Sequence, residues 1–117
     1  MRHNRARLDS VELLPFKRYI YDGFAGIMTG HLYVPALDKS HKPASFSKAV
    51  VTDLLQKELG FQGLCFTDAL AMKGASTNKT DNPSVKALLA GNDILLAPAA
   101  PINDFTAVKE AIEDGVL

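Results

Sequence analysis

Apolar residues recur along this chain in two alternating patterns, one with a helical period and one of short unbroken runs. Leu13, Phe16 and Ile20 fall at i, i+3 and i+7, after Asp9 or Ser10, either of which can cap a helix running to about Asp22. Pro15 lies early enough to sit in the first turn, and Gly23 is a stop signal. Ala25-Gly26-Ile27-Met28 then reads as a short buried strand that runs out into Thr29-Gly30-His31. Leu32 to Asp38 reads as an ordered loop in which Pro35 cannot continue a ladder, and Asp38 to Ser45 as a polar connection. Ser45 or Ser47 caps the next helix, with Val51, Leu54, Leu55 and Leu59 on its buried face and Gly60 at its end.

A tight Phe61-Gln62-Gly63 turn leads into a second strand, Leu64 to Thr67, which ends abruptly in a hydroxyl and then a carboxylate, Asp68. Ala69 to Ser76 reads as a short helical turn or loop, and Thr77 to Pro83 as a polar, mobile connection. Ser84 opens a short helix carrying Val85, Leu88 and Leu89 and closed by Gly91. Asp93 to Ala97 is a third buried strand stopped by Pro98, and Asn103 or Asp104 caps a final helix with Phe105, Val108 and Ile112 on one face. Strands that are continuous apolar runs, alternating with helices, predict an α/β fold with a parallel sheet covered by helices. Three strands leave two open edges, so the expectation is a part of a larger sheet or barrel.

Composition narrows the function classes. The 117 residues suffice for one small domain, and 47% hydrophobic with 22% charged residues is ordinary for a globular protein. Thirteen basic and thirteen acidic residues cancel, so charge gives no case for a nucleic acid or an acidic membrane as partner. The basic start, Arg2, His3, Arg5 and Arg7, reads as a solvated and poorly ordered terminus over residues 1–8. Cys65 is the only cysteine and lies in an apolar run, as a buried inert thiol does. His3, His31 and His41 are scattered, without the spacing of a metal site. No glycine-rich phosphate-binding word is present, so no cofactor is expected. No apolar run reaches the roughly 20 residues of a membrane helix, and the start lacks the apolar core of a signal peptide.

The C-terminal ends of parallel strands lie side by side, so His31, Thr67, Asp68 and the Ala97-Pro98 segment should converge on one rim. A carboxylate, an imidazole and a hydroxyl there suit a polyhydroxylated ligand. Two readings of Asp68 stand on residues alone: a cap on the helical turn that follows, or a reactive carboxylate. His31 likewise reads as a hydrogen-bonded structural residue or as a site residue, and Asp38 as a loop cap.

An ordered set of words then points to a family. Glu12-Leu13 with Pro15-Phe16, Ile27-Met28 with His31, and Val34-Pro35-Ala36-Leu37-Asp38 come first; Pro43-Ala44-Ser45 with Ser47 and Glu58-Leu59-Gly60-Phe61 with Gly63-Leu64 follow. Thr67-Asp68-Ala69-Leu70 with Met72, and Ala90-Gly91 with Asp93, complete the set, which covers about residues 9 to 114. Together they resemble the catalytic domain of glycoside hydrolase family 3, in its β-N-acetylglucosaminidase (β-hexosaminidase) branch. The resemblance implies the second half of a (β/α)8 TIM-type barrel, roughly its fifth to seventh strands, with residues 1–117 forming a partial catalytic domain. It implies that Asp68 is the nucleophile of a retaining exo-acting β-N-acetylhexosaminidase, and that His31 and Met72 lie at the substrate-binding end. The implied partner is a carbohydrate, an N-acetylglucosamine glycan or muropeptide, with exposed barrel edges as a route to homo-oligomers.

The Asp-x-His dyad that supplies the acid/base in that branch is not among these residues, nor are the Lys-His and Pro-Gly-His-Gly words of the first barrel half. The chain is therefore expected to be an excerpt that holds the nucleophile and is inactive by itself. The other classes weighed are a non-catalytic α/β sugar-binding or assembly module, and a piece from the β-glucosidase branch.

Overall fold

The computed structural model describes residues 2–71 and 82–117. Its sheet is built from two of the apolar runs. Strand β1, Gly26–Thr29, lies parallel to strand β2, Leu64–Thr67, in a register that sets Gly26 opposite Leu64 and Thr29 opposite Thr67. The chain is thus α/β with helices and a small parallel sheet. Side chains alternate across it: Ile27, Thr29, Cys65 and Thr67 are buried, whereas Met28 and Leu64 are 50% and 53% exposed. Among the described residues the helices cover one face of the sheet, where the unbroken apolar runs predict burial on both.

The expected third buried strand, Asp93 to Ala97, is the largest departure. Ile94 makes a single parallel bridge to Phe66, and both Ile94 and Leu96 are exposed. The backbone does run beside β2: Asp93 N donates to Cys65 O at 2.7 Å, and Thr67 N donates to Ile94 O at 3.1 Å. The ladder then stops because Leu96 N donates to the Thr67 hydroxyl at 3.1 Å instead of to a backbone carbonyl. At Ala97 the backbone takes a positive φ of 44°, which turns it out of extended conformation.

The basic start is structured further upstream than the sequence suggests. Asn4 Oδ1 accepts from Arg7 N at 2.8 Å and caps a helical turn over Arg5–Arg7, which continues into a wider turn, Leu8–Glu12, with Leu8 buried. Asp9 is therefore not a cap; its carboxylate accepts from the Arg5 side chain and pairs with Lys17. Helix α1, Leu14–Tyr21, keeps Pro15 in its first turn, as predicted. Its buried stripe is rotated: Tyr19 and Ile20 pack on the core while Phe16 is exposed. The Tyr19 hydroxyl donates to Gly26 O at 2.6 Å, which turns that side of the helix toward β1.

Helix α2, Ala49–Glu58, closes with an i→i−5 bond from Leu59 N to Leu54 O. Ser47 Oγ accepts from Val50 N at 3.3 Å at its start, and Gly60 follows its end at a φ of 74°. Val51 and Leu55 meet Ile27, Phe61, Cys65 and Ala90 in the main core, each contributing about 1.5–3 kcal/mol by burial. Helix α3, Pro83–Ala90, is capped by Asn82, whose Oδ1 accepts from Ser84 N and Val85 N, so Ser84 lies inside the helix rather than at its cap. It buries its small residues, Ser84, Ala87 and Ala90, and leaves Leu89 exposed. Small side chains let it approach α2, where Thr52 Oγ donates to Ala90 O at 2.6 Å.

Helix α4, Pro101–Glu113, begins without a side-chain cap; Asp104 sits in its first turn and accepts from Asn82 Nδ2 at 2.7 Å, which ties α4 to α3. Ala111 is its buried residue, and Phe105 and Ile112, expected on a buried face, are exposed. Met72, the rest of the turn to Ser76, and the polar run from Thr77 to Asp81 lie outside the described residues.

Candidate functional site

The strand register brings two chain exits together. Thr29 lies opposite Thr67, so Gly30-His31 and Asp68-Ala69 leave the sheet at the same rim. The first link between them is backbone: Asp68 N donates to Thr29 O at 2.9 Å. The second is the imidazole. His31 Nδ1 lies 2.6 Å from Ser45 Oγ, and His31 Nε2 lies 3.0 Å from Ala69 O. A carbonyl oxygen only accepts, so Nε2 carries the proton, and in the neutral ring Nδ1 accepts from the Ser45 hydroxyl. The ring is also in contact with Phe46, centroid to centroid 5.7 Å.

Asp68 is half-buried, and its Oδ1 accepts from Ala69 N at 2.7 Å. A helix cap in this position would accept from the second or third N–H of the following turn. Those two groups are engaged elsewhere: Leu70 N donates to Leu96 O at 2.9 Å and Ala71 N to Ala97 O at 3.1 Å. Asp68 is therefore not a helix cap, and its Oδ2 has no hydrogen-bond partner among the described residues. The residues beside it are pinned from two sides, by β1 on one flank and by the 94–97 segment on the other.

Two residues of this assembly were not singled out from sequence as site residues. Ser45, a candidate helix cap and part of the Pro43-Ala44-Ser45 word, is fully buried against His31. Asn92 is 4% exposed and uses its whole amide: Oδ1 accepts from Thr29 Oγ at 2.7 Å, while Nδ2 donates to Ser45 O and to Ala87 O, both at 2.8 Å. An asparagine directly after a left-handed glycine, Gly91 at a φ of 118°, carries a local turn signal but nothing that reveals a role 47 residues away. Ser45 N donates in turn to Gly30 O at 3.0 Å.

The remaining sequence candidates lie apart from this network of bonds. Asp38 accepts from the Ser40 hydroxyl, from the Ser47 hydroxyl and from Ser40 N, which together hold its carboxyl down at about 2, so it is a loop cap. Burial pushes the Cys65 thiol up, in keeping with an inert core cysteine. His3 approaches Glu12 at 3.9 Å, and His41 stacks on Tyr33 at 4.9 Å. Among the described residues no three histidine, cysteine or acidic side chains gather as metal ligands, and no helix is long and apolar enough to cross a membrane. An open apolar recess of about 430 Å³ lies beside α1 and β1, between Phe16, Tyr19 and Met28, and includes neither His31 nor Asp68.

Over its residues 1–117 the chain matches the Glycosyl hydrolase family 3 N terminal domain. It is 40% identical over 111 residues to Beta-hexosaminidase A of Pseudoalteromonas piscicida, an alignment that takes in 84% of this chain and 18% of that protein. It is 38% identical over 97 residues to a Beta-hexosaminidase of Chromobacterium violaceum, across 82% of this chain and 27% of that one. Among solved structures, a glycoside hydrolase family 3 beta-N-acetylglucosaminidase from Paenibacillus sp. str. FPU-7 superposes with a TM-score of 0.89 at 36% identity, covering 97% of this chain and 22% of that one. The chain thus spans roughly a fifth to a quarter of the length of the relatives it matches.

Proposed function

This chain belongs to glycosyl hydrolase family 3, and we propose that it supplies the nucleophile side of a retaining, exo-acting β-N-acetylhexosaminidase site, with Asp68 as the nucleophile. The observation that carries the reading is the surroundings of Asp68. A carboxylate stands at the C-terminal end of a parallel strand, its flanking backbone fixed by Thr29, Leu96 and Ala97 and its Oδ2 uncommitted among the described residues. In the first step an Asp68 oxygen forms a bond to the anomeric carbon as the glycosidic C–O bond breaks, and an acid protonates the departing oxygen. In the second step that residue acts as base on a water, which displaces the Asp68 carboxylate and releases the sugar.

No Asp-x-His word occurs in these residues, and in this reading the acid/base is supplied from outside them. The sheet face left uncovered among the described residues, with Met28, Leu64, Ile94 and Leu96 exposed, fits the inner face of a (β/α)8 barrel of which these are roughly the fifth to seventh strands. The substrate class is a glycoside with a terminal N-acetylglucosamine, following the names of the relatives.

A slow, fluorinated N-acetylglucosaminide incubated with the full-length protein tests the assignment. The expected result is a mass increment on the peptide that contains Asp68; an increment on another residue overturns the role. The 117 residues alone are expected to give little hydrolysis of an aryl N-acetylglucosaminide. Vigorous turnover by them, lost on Asp68→Asn, would refute the need for an outside acid. Sugar binding without turnover by the full-length protein would favour a carbohydrate-binding module.

A further inference from the structure

We propose that His31 is a positioning residue for Asp68, a clamp set by Ser45 and Asn92, rather than a ligand-binding side chain. The proposal rests on Asp68 being the nucleophile. Its basis is that both ring nitrogens are already committed inside the protein, Nδ1 to Ser45 Oγ at 2.6 Å and Nε2 to Ala69 O at 3.0 Å. A neutral imidazole has one donor and one acceptor, and both are used, so none remains to hold a sugar hydroxyl.

The bonds form a closed circuit around the carboxylate-bearing residue. Asp68 N donates to Thr29 O, and Thr29 Oγ donates to Asn92 Oδ1 at 2.7 Å. Asn92 Nδ2 donates to Ser45 O at 2.8 Å, Ser45 Oγ meets His31 Nδ1, and His31 Nε2 donates to Ala69 O. The circuit begins on the N–H of Asp68 and ends on the carbonyl of the next residue, so the backbone that carries the nucleophile is held at both ends. Ser45 is fully buried and Asn92 nearly so, which keeps water from replacing either link. A nucleophile displaced by about 1 Å can lose on the order of 100-fold in rate without any loss of substrate contacts.

The test combines a spectroscopic and a kinetic arm on the full-length protein. Two-bond proton–nitrogen spectra of the 15N-labelled protein report the His31 tautomer. We expect a single form protonated at Nε2, which the Ala69 carbonyl retains in Ser45→Ala while the Nδ1 resonance shifts with the loss of its hydrogen bond. An averaged ring in the parent protein overturns the clamp whatever the enzyme does. In the kinetic arm, His31→Phe and Ser45→Ala should lower kcat roughly 10- to 100-fold with KM within about threefold. His31→Gln, whose amide can still donate toward Ala69 O, should recover most of the lost rate. A raised KM at unchanged kcat, or equal losses in His31→Gln and His31→Phe, overturns the positioning role. Where His31→Phe does not fold, Ser45→Ala and His31→Gln carry the comparison. Labelling of a residue other than Asp68 by the fluorinated glycoside would overturn the nucleophile assignment while leaving the tautomer result intact, so the two failures are told apart.

Discussion

Asn92→Ala is the sharpest single perturbation of the structure that holds the site. The amide makes three side-chain hydrogen bonds, to Thr29 Oγ, Ser45 O and Ala87 O, at 2.7, 2.8 and 2.8 Å. Truncation does not strand all three partners. Ala87 O keeps a second donor, the backbone N–H of Asn92 at 3.1 Å. The Thr29 hydroxyl loses its acceptor and the Ser45 carbonyl its donor, and both belong to residues exposed by less than a tenth. A buried polar group left without a partner costs about 1–3 kcal/mol, so the sum is about 2–6 kcal/mol. Against a domain stability on the order of 5–15 kcal/mol, that is a large fraction of the whole.

Urea unfolding followed by far-ultraviolet circular dichroism measures the loss, and an unchanged slope with denaturant shows that native compactness is preserved. The control is Thr29→Val in the Asn92→Leu background. Removing both members of a polar pair is milder than removing one, so the second substitution should cost less there than in the parent protein, with a coupling of about 0.5–3 kcal/mol. A loss below about 1 kcal/mol for Asn92→Ala, or additive effects in the double variant, would refute the claim that this amide joins β1 to the Ser45 turn.

Gly63→Ala should lower the melting temperature, at a cost of about 1–3 kcal/mol or more. A methyl there would overlap the Ala25 carbonyl oxygen and lie 2.6 Å from Phe61 Cζ, a ring that is itself buried. Acid should remove stability through Asp38. Its carboxyl is depressed from 3.8 to about 2 by the Ser40 and Ser47 hydroxyls, so the contribution is complete above about pH 4 and disappears as pH falls toward 2. Urea midpoints measured from pH 6 to pH 2 should show the parent protein converging on Asp38→Asn at the acid end; parallel curves would contradict the assignment. Asp68→Ala should change thermal stability by no more than about 0.5 kcal/mol, as a residue outside any cap does, whereas loss of a helix cap costs about 1 kcal/mol.

The elements whose boundaries depend on near neighbours were legible in the sequence. Strand β2 spans Leu64–Thr67 as its apolar run predicts, and α1 starts at Pro15's turn. The errors share a cause, which is that periodicity gives weight to large apolar residues while packing distance decides which face is buried. In α3 the pattern pointed to Val85, Leu88 and Leu89, but Ser84, Ala87 and Ala90 are inside because α2 comes close enough for Thr52 to reach the Ala90 carbonyl. The α3 cap was nonetheless readable, since an asparagine before a proline at the first helical position is an N-terminal signal. The third strand failed for a reason that no local pattern contains: the Thr67 hydroxyl takes the Leu96 N–H that a ladder would need.

The site divides along the same line. Asp68 and His31 were visible as polar residues leaving apolar strands, and the parallel arrangement was enough to place them on one rim. Which side chains tie that rim together was not visible, because that depends on Ser45 and Asn92, 14 and 61 residues from His31 along the chain. The partners that fix the backbone around Asp68 are Thr29, His31, Leu96 and Ala97, all within this chain and all in segments joined by its own hydrogen bonds. The exposed residues Met28, Leu64, Ile94 and Leu96, by contrast, have no apolar cover among the described residues. Holding the carboxylate and covering the sheet are therefore separable demands. The first is met by short-range polar bonds around one rim, and the second is not met among the described residues.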